Sequence, residues 1–173
     1  MSAIVTLISG PTALSAPEGV SLIAVNTAQE MFEATLRVLD YEQDIFISAA
    51  AVADYTPVKP AMKKIKKIEE IMTLEMRKNP DILAAVSKHS TRPFTVGFAA
   101  ETDNLEQNAL DKLKKKELNM IAANLVGLPD QGFGSSENEL FVFYKGTKSH
   151  IPRAAKPQVA RSLLSLIAKN YKA

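Results

Sequence analysis

Residues 44–55 read Asp-Ile-Phe-Ile-Ser-Ala-Ala-Ala-Val-Ala-Asp-Tyr, and the interpretation of the whole chain starts from this stretch. Its first half is an unbroken apolar run that is too short for a helix, which is typical of a buried strand. Its second half is a series of small side chains that ends in the carboxylate of Asp54. The stretch therefore predicts a buried strand that runs directly into a tight loop.

Two interpretations of this loop remain open at this point. Ser48, Ala49, Ala50 and Ala51 have little side chain to hold a partner away, so backbone N–H and C=O groups could contact a bound molecule while Asp54 supplies one negative charge. Alternatively, the alanines pack beneath a helix and bind nothing. The residues of the loop do not decide between the two.

The composition excludes several classes of protein. A chain of 173 residues with 46% hydrophobic residues can bury one core, so we expect a single domain over residues 1–173. The absence of Cys excludes disulfides, thiolate zinc sites and Cys nucleophiles, and favours a cytoplasmic protein. The two His residues, His89 and His150, are isolated, so we predict no protein-held metal site.

The distribution of charge is more informative than its sum. The net charge is only +2, but Lys residues cluster at 63–67 and again at 112–116. Such local patches favour phosphate-bearing ligands over a nucleic-acid partner. The apolar run at 4–8 is too short for a signal peptide or a membrane span, so no membrane association is expected.

Strand and helix patterns alternate along most of the chain. This alternation predicts an α/β fold, with a mostly parallel, Rossmann-like sheet flanked by helices and ligands at the carboxyl ends of the strands. A capping box at 27–30 and the Asn79-Pro80-Asp81 sequence mark two helix starts. The predicted strands cover 5–9, 20–25, 44–48, 73–77, 94–100 and 120–123, and a hairpin is predicted with its turn at 145–147. Three helices are predicted after residue 30, from 79 to about 88, and from Thr102 or Asp103 to about 117. A last amphipathic helix begins at Pro157, and its apolar face carries Val159, Leu163, Leu164 and Ile167.

The segment 56–77 differs from the rest in its content of Pro, Lys and Glu. It has too few apolar residues for a second core, so we expect an exposed excursion whose strand pairs or packs elsewhere. Residues 63–68 are expected to be poorly ordered without a ligand, because the like charges of their lysines repel one another and nothing nearby anchors them.

The helix predicted at 105–116 carries an unusual arrangement of lysines. Leu105 and Ala109 mark its buried direction, and at about 100° per residue Lys112 and Lys116 fall close to that direction while Lys114 points away. Two inward lysines repel each other unless an anion lies nearby. The alternative, that their stems follow the edge of the core, is equally compatible with the pattern.

Five motifs follow one another in order along the chain: Ala50-Ala51-Val52-Ala53-Asp54-Tyr55, Lys64-Ile65-Lys66-Lys67, Lys78-Asn79-Pro80-Asp81-Ile82, Gly97-Phe98-Ala99-Ala100-Glu101-Thr102 and Gln131-Gly132-Phe133. Together they resemble the motifs of phosphopantothenoylcysteine synthetase, a family often found as the C-terminal half of a bifunctional coenzyme A biosynthesis protein. The family uses CTP to activate the carboxylate of 4'-phosphopantothenate and then joins the product to L-cysteine.

The resemblance implies a nucleotide site and its cofactors. It places Lys64 on a mobile flap with a catalytic role, and it implies Mg²⁺ together with CTP. FMN is implied only if a decarboxylase half belongs to the full-length protein. The residues implied to bind the nucleotide are Ser48, Ala49, Ala50, Asp54, Lys64, Pro80, Asp81, Ile82, Leu83, Phe98, Lys112 and Lys116.

The chain departs from the family pattern at its start. It has neither the Gly-Gly-Thr-type start nor the Ile-Ser-Asn-x-Ser-Ser-Gly-type segment, whose Asn is tied to the acyl intermediate. We therefore expect this chain, which begins at what corresponds to the second strand, to bind CTP at reduced affinity, to lack the groups that hold 4'-phosphopantothenate, and not to complete the ligation alone. The resemblance also implies a homodimer formed through the 56–77 excursion.

Two other classes of function remain open. A regulatory module could use the same nucleotide pocket without chemistry, and measured pyrophosphate release would separate it from the enzyme. A basic nucleic-acid-binding domain is disfavoured because the lysines are not interleaved with aromatic residues.

Overall fold

The computed structural model describes residues 3–66, 70–127 and 135–171. The chain divides into two compact units, which are described separately: Met1–Arg37 with Ala50–Ile82, and Val38–Ala49 with Leu83–Ala173. The elements are β1 Thr6–Ser9, β2 Ser21–Ala24, α1 Ala28–Leu39, β3 Ile45–Ser48, β4 Tyr55–Pro57, β5 Met76–Lys78, α2 Ile82–Ser87, β6 Phe94–Glu101, α3 Leu105–Lys115, β7 Met120–Leu125, β8 Glu137–Tyr144, β9 Thr147–Ala155 and α4 Lys156–Tyr171.

The second unit is built on a five-stranded sheet in the order β3-β6-β7-β8-β9. The strands β3, β6 and β7 are parallel, and the β8–β9 hairpin continues the sheet in the antiparallel sense. The turn of the hairpin lies at Lys145 and Gly146, where both residues have positive φ. The predicted α/β fold with a C-terminal hairpin and helix is confirmed, and the hairpin strands are longer than predicted.

Alternating side chains of β7 supply both faces of this sheet. Met120 and Ala122 face a core cluster that includes the α4 side chains, whereas Ile121 and Ala123 face a second cluster with residues of α2 and α3. All four are fully buried. A strand with helices on both faces needs apolar residues at every position, which explains the continuous apolar run of the sequence.

The last helix, α4, covers one face of the sheet with side chains spaced four residues apart. Val159, Leu163 and Ile167 are buried in the core cluster, as predicted. The prediction that Leu164 is also buried was wrong, since its side chain is exposed. Leu164 lies about 100° around the helix from Leu163, which takes it out of the contact face.

The first strand of this sheet, β3, is less buried than its sequence predicts. It pairs with β6 only and forms one edge of the sheet. Phe46 packs against the core, but Ile45 and Ile47 remain 37% and 39% exposed. The prediction of a buried strand was therefore wrong for one face. The apolar run shows that each side chain prefers to be buried, whereas its actual exposure depends on whether another element covers that face of the sheet.

The first unit contains two small sheets and most of α1. The strands β1 and β2 are parallel, and β4 pairs with β5 in the antiparallel sense. The predicted strand at 73–77 thus begins later, at Met76. Pairing across 18 intervening residues closes the excursion into a loop, whose described apolar side chains remain largely exposed: Met62, Ile65, Ile71, Met72 and Leu74.

The capping box predicted at the start of α1 is present with one change. The Thr27 hydroxyl accepts a hydrogen bond from the Glu30 N–H at 3.1 Å. The Glu30 carboxylate accepts one from the Asn26 N–H at 2.6 Å, one residue before the expected donor. Both ends of the box therefore satisfy backbone N–H groups, as the motif requires.

A helix that crosses a lipid bilayer needs about 20 mostly apolar residues. None of the helices in the described parts of the chain combines the length and the hydropathy needed to cross a membrane.

Candidate functional site

The carboxyl end of β3 lies beside the middle of β6 in the second unit. Ser48, the last residue of β3, stands opposite Gly97 in the parallel register, so Ser48 and Phe98 are near neighbours. The sequence predicts that small residues after Ile47 and after Phe98 leave their strands at one edge of the sheet, but β6 continues through Ala99 and Ala100 to Glu101, so only the first of these segments leaves its strand here. Ser48 is half-buried and Ala49 is exposed, so this edge is accessible to a ligand.

Close packing beneath this edge explains the small residue at position 97. A Cβ atom on Gly97 would lie 2.8 Å from Leu118 Cδ1 and 3.0 Å from Leu83 Cδ2. Leu83 is accordingly a core residue, with its side chain in the cluster on the α3 face. Any contact between Leu83 and a nucleotide must therefore involve its backbone.

Phe98 contributes to the edge mainly through its backbone as well. Its half-buried ring packs against the core cluster on the α4 face of the sheet. Its carbonyl oxygen accepts a hydrogen bond from Lys112 Nζ at 2.8 Å. This bond fixes a positive charge beside Phe98, which lies next to the carboxyl end of β3 and three residues before the end of β6. In an α/β fold, ligands bind near the carboxyl ends of the strands.

The helix α3 confirms the predicted direction of its lysines. Ala109 is completely buried, and Lys112 and Lys116 are half-buried, whereas Lys114 and Lys115 are exposed. The Lys112 stem follows the edge of the core while its ammonium group reaches the backbone of β6. The first interpretation offered by the sequence, a stem along the core edge, holds for Lys112, and a charge at a ligand site remains a prediction.

Two further side chains join α3 to the end of β6. Asn108 Nδ2 donates to Glu101 Oε2 at 2.9 Å and to the Asp103 carbonyl at 3.3 Å. The residue before the helix is Asn104, in a left-handed conformation without a side-chain cap, so the predicted caps Thr102 and Asp103 were wrong. Asn108 and Lys112 are four residues apart and therefore lie on the same face of the helix. This spacing is the sequence pattern that could have predicted that Asn108 also contacts the end of β6.

In the first unit, Asn79 connects two of the predicted nucleotide-binding segments. Its N–H donates to the Asp54 carbonyl at 2.8 Å, and its Nδ2 donates to the Ala53 carbonyl at the same distance. The sequence suggested Asn79 as a helix cap, but its amide group instead holds the loop that contains Ala50 and Asp54. The carboxylate of Asp54 is exposed.

The other predicted residues of the first unit are placed less closely. Pro80 is half-buried, Asp81 is exposed and Ile82 is buried. Lys64 is exposed in the excursion, and no contact of Lys64 with another predicted site residue is found in the described parts of the chain. The Gln131-Gly132-Phe133 motif and Lys67 lie outside the described residues.

Possible metal ligands are sparse in the described parts of the chain. Within 3–66, 70–127 and 135–171, no group of three His, Asp or Glu side chains is arranged as a metal site. Mg²⁺ that accompanies a nucleotide is held mainly by phosphates and water and needs only one or two carboxylates. Among the residues predicted to bind the nucleotide, Asp54 has an exposed carboxylate at the end of the small-residue loop. A carboxylate is a ligand for Mg²⁺, so Asp54 fits that role.

The sequence matches a known family over nearly its whole length. Residues 1–171 match the model of the DNA/pantothenate metabolism flavoprotein C-terminal domain. The chain is 43% identical over 171 residues to the coenzyme A biosynthesis bifunctional protein CoaBC of Escherichia coli K12 and 44% identical over 170 residues to that of Vibrio vulnificus YJ016. Each alignment covers 96% of this chain, and the chain spans about 42% of these relatives' length.

Solved structures have the same fold. The C-terminal domain of CoaBC superposes with a TM-score of 0.75 at 34% identity, covering 94% of this chain and 71% of that one. The fold is shared by a Streptococcus pneumoniae DNA/pantothenate metabolism flavoprotein, with a TM-score of 0.73 at 23% identity, covering 95% of this chain and 80% of that one. It is also shared by a Cab2 mutant in complex with phosphopantothenate-cysteine, with a TM-score of 0.68 at 16% identity, covering 90% of this chain and 54% of that one. The chain therefore belongs to the DNA/pantothenate metabolism flavoprotein C-terminal domain family, as its resemblance to phosphopantothenoylcysteine synthetase predicts.

Proposed function

We propose that this chain is the CTP-binding part of a phosphopantothenate–cysteine ligase in coenzyme A biosynthesis. The observation that carries the proposal is Lys112, whose ammonium group donates to the Phe98 carbonyl of β6 near the carboxyl end of β3, with the half-buried Lys116 directly after α3. Membership of the family supports it, and so does a Cab2 complex of the same fold that contains phosphopantothenate-cysteine.

The proposed reaction has two steps. A carboxylate oxygen of 4'-phosphopantothenate attacks the α-phosphorus of CTP, the bond between the α-phosphorus and the bridging oxygen breaks, and pyrophosphate leaves. The cysteine amine then attacks the acyl carbon, CMP leaves, and the amine proton passes to water. Pyrophosphate and CMP are good leaving groups, so positioning of the reactants is the main requirement.

The first step brings anions together, which determines what the protein must supply. A carboxylate approaches a triphosphate, so fixed positive charge is needed where negative charge accumulates. Lys112 and Lys116 supply it at the edge of the sheet, and Lys64 supplies it from the excursion. Mg²⁺, when bound, neutralises phosphate oxygens, and Asp54 is the candidate carboxylate beside it.

The reading of the cytosine base is proposed to use backbone groups. Cytosine presents an amino donor beside two acceptors, and peptide groups of the small-residue exits at Ser48–Ala50 and at Phe98 offer the complementary acceptors and donors. We therefore expect CTP to bind more tightly than ATP. Isothermal titration with both nucleotides tests this expectation, and ATP binding as tight as that of CTP would contradict it.

A release assay tests the reaction itself. The 173-residue chain is incubated with CTP, Mg²⁺ and 4'-phosphopantothenate, and pyrophosphate is measured before and after L-cysteine is added. We expect the chain to bind CTP. Pyrophosphate release that requires both CTP and 4'-phosphopantothenate is the expected sign of the first step. A chain that binds no CTP would contradict the proposed function.

We also propose that the protein is a homodimer that associates through the excursion. The described part of this segment exposes several large apolar side chains, among them Met62, Ile71 and Leu74. Apolar surface of this density on a short segment is typical of an association surface. Leu74→Lys is expected to shift light scattering toward the monomer, while Lys59→Gln, in the same segment, leaves it unchanged. A wild-type monomer at high concentration would disprove the dimer.

A further inference from the structure

Asn79 joins two parts of the first unit that are 26 residues apart along the chain. Its Nδ2 donates to the Ala53 carbonyl at 2.8 Å, and its backbone N–H donates to the Asp54 carbonyl at 2.8 Å. These two carbonyls belong to the peptide groups on either side of the Asp54 Cα. The two hydrogen bonds together therefore restrain the direction in which the Asp54 side chain projects.

The backbone bond of Asn79 extends the ladder between β4 and β5. The last pair of that ladder is Tyr55 with Lys78, and the bond from the Asn79 N–H to the Asp54 carbonyl adds one further step. Pro80 follows Asn79, and a residue before proline is kept out of the helical conformation by the proline ring, so Asn79 stays extended. Its side chain reaches the loop beyond the ladder instead of capping α2, which begins three residues later.

The loop that Asn79 holds cannot anchor itself through its own side chains. Residues 50–53 are Ala, Ala, Val and Ala, so none of these side chains donates or accepts a hydrogen bond. The position of the loop backbone therefore depends on partners outside the loop, and Asn79 is one of them.

The carboxylate of Asp54 is accessible to a cation. Its side chain is exposed, and the ion pairs found within the described parts of the chain do not include Asp54. An exposed carboxylate on a flexible loop would lose affinity for a cation, because binding would have to order the loop. A carboxylate whose backbone is already held by Asn79 avoids much of that cost.

We propose that Asn79 is a positioning residue of the nucleotide site, which holds the Asp54 carboxylate in place for the Mg²⁺ that accompanies CTP. The inference rests on the proposed function for the ligand, whereas the anchoring of the loop follows from the two hydrogen bonds. Asn79 itself is not expected to touch the nucleotide. Its contribution to CTP binding therefore passes through Asp54 and depends on Mg²⁺.

Four variants separate positioning from a general loss of structure. Asn79→Ala removes the side-chain donor but keeps the backbone bond, and Asn79→Gln keeps the amide group on a longer stem. Gln29→Ala is the matched control: Gln29 and Asn79 line the same cavity of about 470 Å³, but the Gln29 amide donates to Glu33 of its own helix. Asp54→Asn removes the charge of the carboxylate with little change of shape.

Calorimetric titration of the whole chain with CTP, once with Mg²⁺ and once with EDTA, measures the effect. We expect Asn79→Ala to weaken CTP binding about fivefold with Mg²⁺ and less than about twofold in EDTA, and Asn79→Gln to recover part of the loss. Combined with Asp54→Asn, Asn79→Ala changes binding less than about twofold, because the carboxylate that it misplaces is already neutral. Gln29→Ala changes binding less than about twofold under both conditions.

Hydrogen exchange of the ligand-free chain provides a second readout. Amide groups at 50–55 should exchange faster in Asn79→Ala than in Gln29→Ala, because only the first variant releases the loop. Equal exchange in these two variants, equal losses of CTP binding with Mg²⁺ and with EDTA, or equal losses with and without Asp54→Asn would each overturn the inference. A wild-type chain that binds no CTP refutes the proposed function as well, whereas a chain that binds CTP without a Mg²⁺-dependent loss in Asn79→Ala refutes the inference alone.

Discussion

The two edges of the five-stranded sheet differ in how they are protected. The β9 edge carries Pro152, which has no N–H to offer, and Arg153, whose guanidinium donates to Glu137 at 2.8 Å. The β3 edge has no charged residue and no Pro between Asp44 and Asp54, and it exposes Ile45 and Ile47. Proteins protect edges that must stay unpaired, so β9 has the features of a permanent edge and β3 does not.

The difference extends from the edges to the two halves of the sheet. The antiparallel half joins its strands with surface pairs, such as His150 with Glu139 at 2.6 Å. Its strands supply Val142 to the cluster with α4 and Phe143 to the cluster with α3. Both halves therefore contribute to the core, while the predicted binding features, small residues after β3 and the anchored Lys112, belong to the parallel half.

The largest expected effect compares the same substitution at the two edges. Ile151 of β9 is 7% exposed and packs in the α4 cluster, whereas Ile47 of β3 is 39% exposed. Ile151→Ala is expected to lower the free energy of unfolding by about 2–5 kcal/mol because it leaves a cavity. Ile47→Ala should cost less than about 1 kcal/mol, since little apolar area is lost from the interior.

Urea denaturation measures both values, with an unchanged dependence on urea as the check that the two-state treatment holds. Equal losses at the two positions would show that Ile47 is covered in solution, and the contrast between the edges would then be wrong.

A second prediction concerns the lysines of α3 at the end of the parallel half. Lys112→Ala and Lys116→Ala are each expected to weaken CTP binding about tenfold, because each removes a half-buried cation from the carboxyl edge of the sheet. Lys114→Ala, which removes the same charge from the exposed face, serves as the control and should change binding less than about twofold. Titration calorimetry at two salt concentrations measures the three values.

Similar losses for all three lysines, steep in salt, would indicate a general electrostatic attraction instead of an ordered contact. The parallel half would then lose its distinction as the binding half.

The smallest expected effect lies where α4 meets the start of β3. The Tyr171 hydroxyl donates to Asp44 Oδ1 at 2.5 Å, and this hydrogen bond, followed by burial and the charges of Asp44 and Glu42, raises the pKa of Tyr171 above 10. A raised pKa means that the folded state favours the protonated phenol. The contribution to stability is complete below the unfolded pKa of about 10 and is lost as pH rises through the folded pKa.

Tyr171→Phe should therefore reduce the thermal midpoint slightly at pH 8, and its difference from the wild type should shrink above pH 10. Tyr41→Phe is the control, because the Tyr41 side chain is mostly exposed and its hydroxyl has no partner among the described residues. A difference for Tyr171→Phe that is constant from pH 8 to pH 11 would mean that the hydrogen bond does not contribute.

Much of the local structure could be predicted because its causes are local. The capping box at Thr27 and Glu30, the hairpin turn at Gly146 and the inward direction of Lys112 each depend on residues within one or two turns of chain. Such patterns act through short hydrogen bonds and through the geometry of helix and strand. The lysine direction on α3 also gave the most useful part of the candidate site.

Predictions failed where a distant partner decided the outcome. Asn79 has the sequence context of a helix cap, but its amide group bonds to Ala53, 26 residues earlier. The side chain of Leu83 fills space left by Gly97, which its sequence context does not show, while its assignment to the nucleotide site stays a prediction that its backbone could fulfil. In each case the residue type allowed the predicted role, and another segment of the chain offered a contact that the sequence does not display.

By itself, the sequence determined the α/β class, the family, the apolar faces of the helices and the two lysines that point inward, since periodicity and motif order are properties of the chain. Only the tertiary structure decided that β3 is an exposed edge and that Lys112 is anchored by the Phe98 carbonyl. The physical reason is that burial and charge pairing depend on tertiary contacts, and these contacts form between residues that are far apart along the chain.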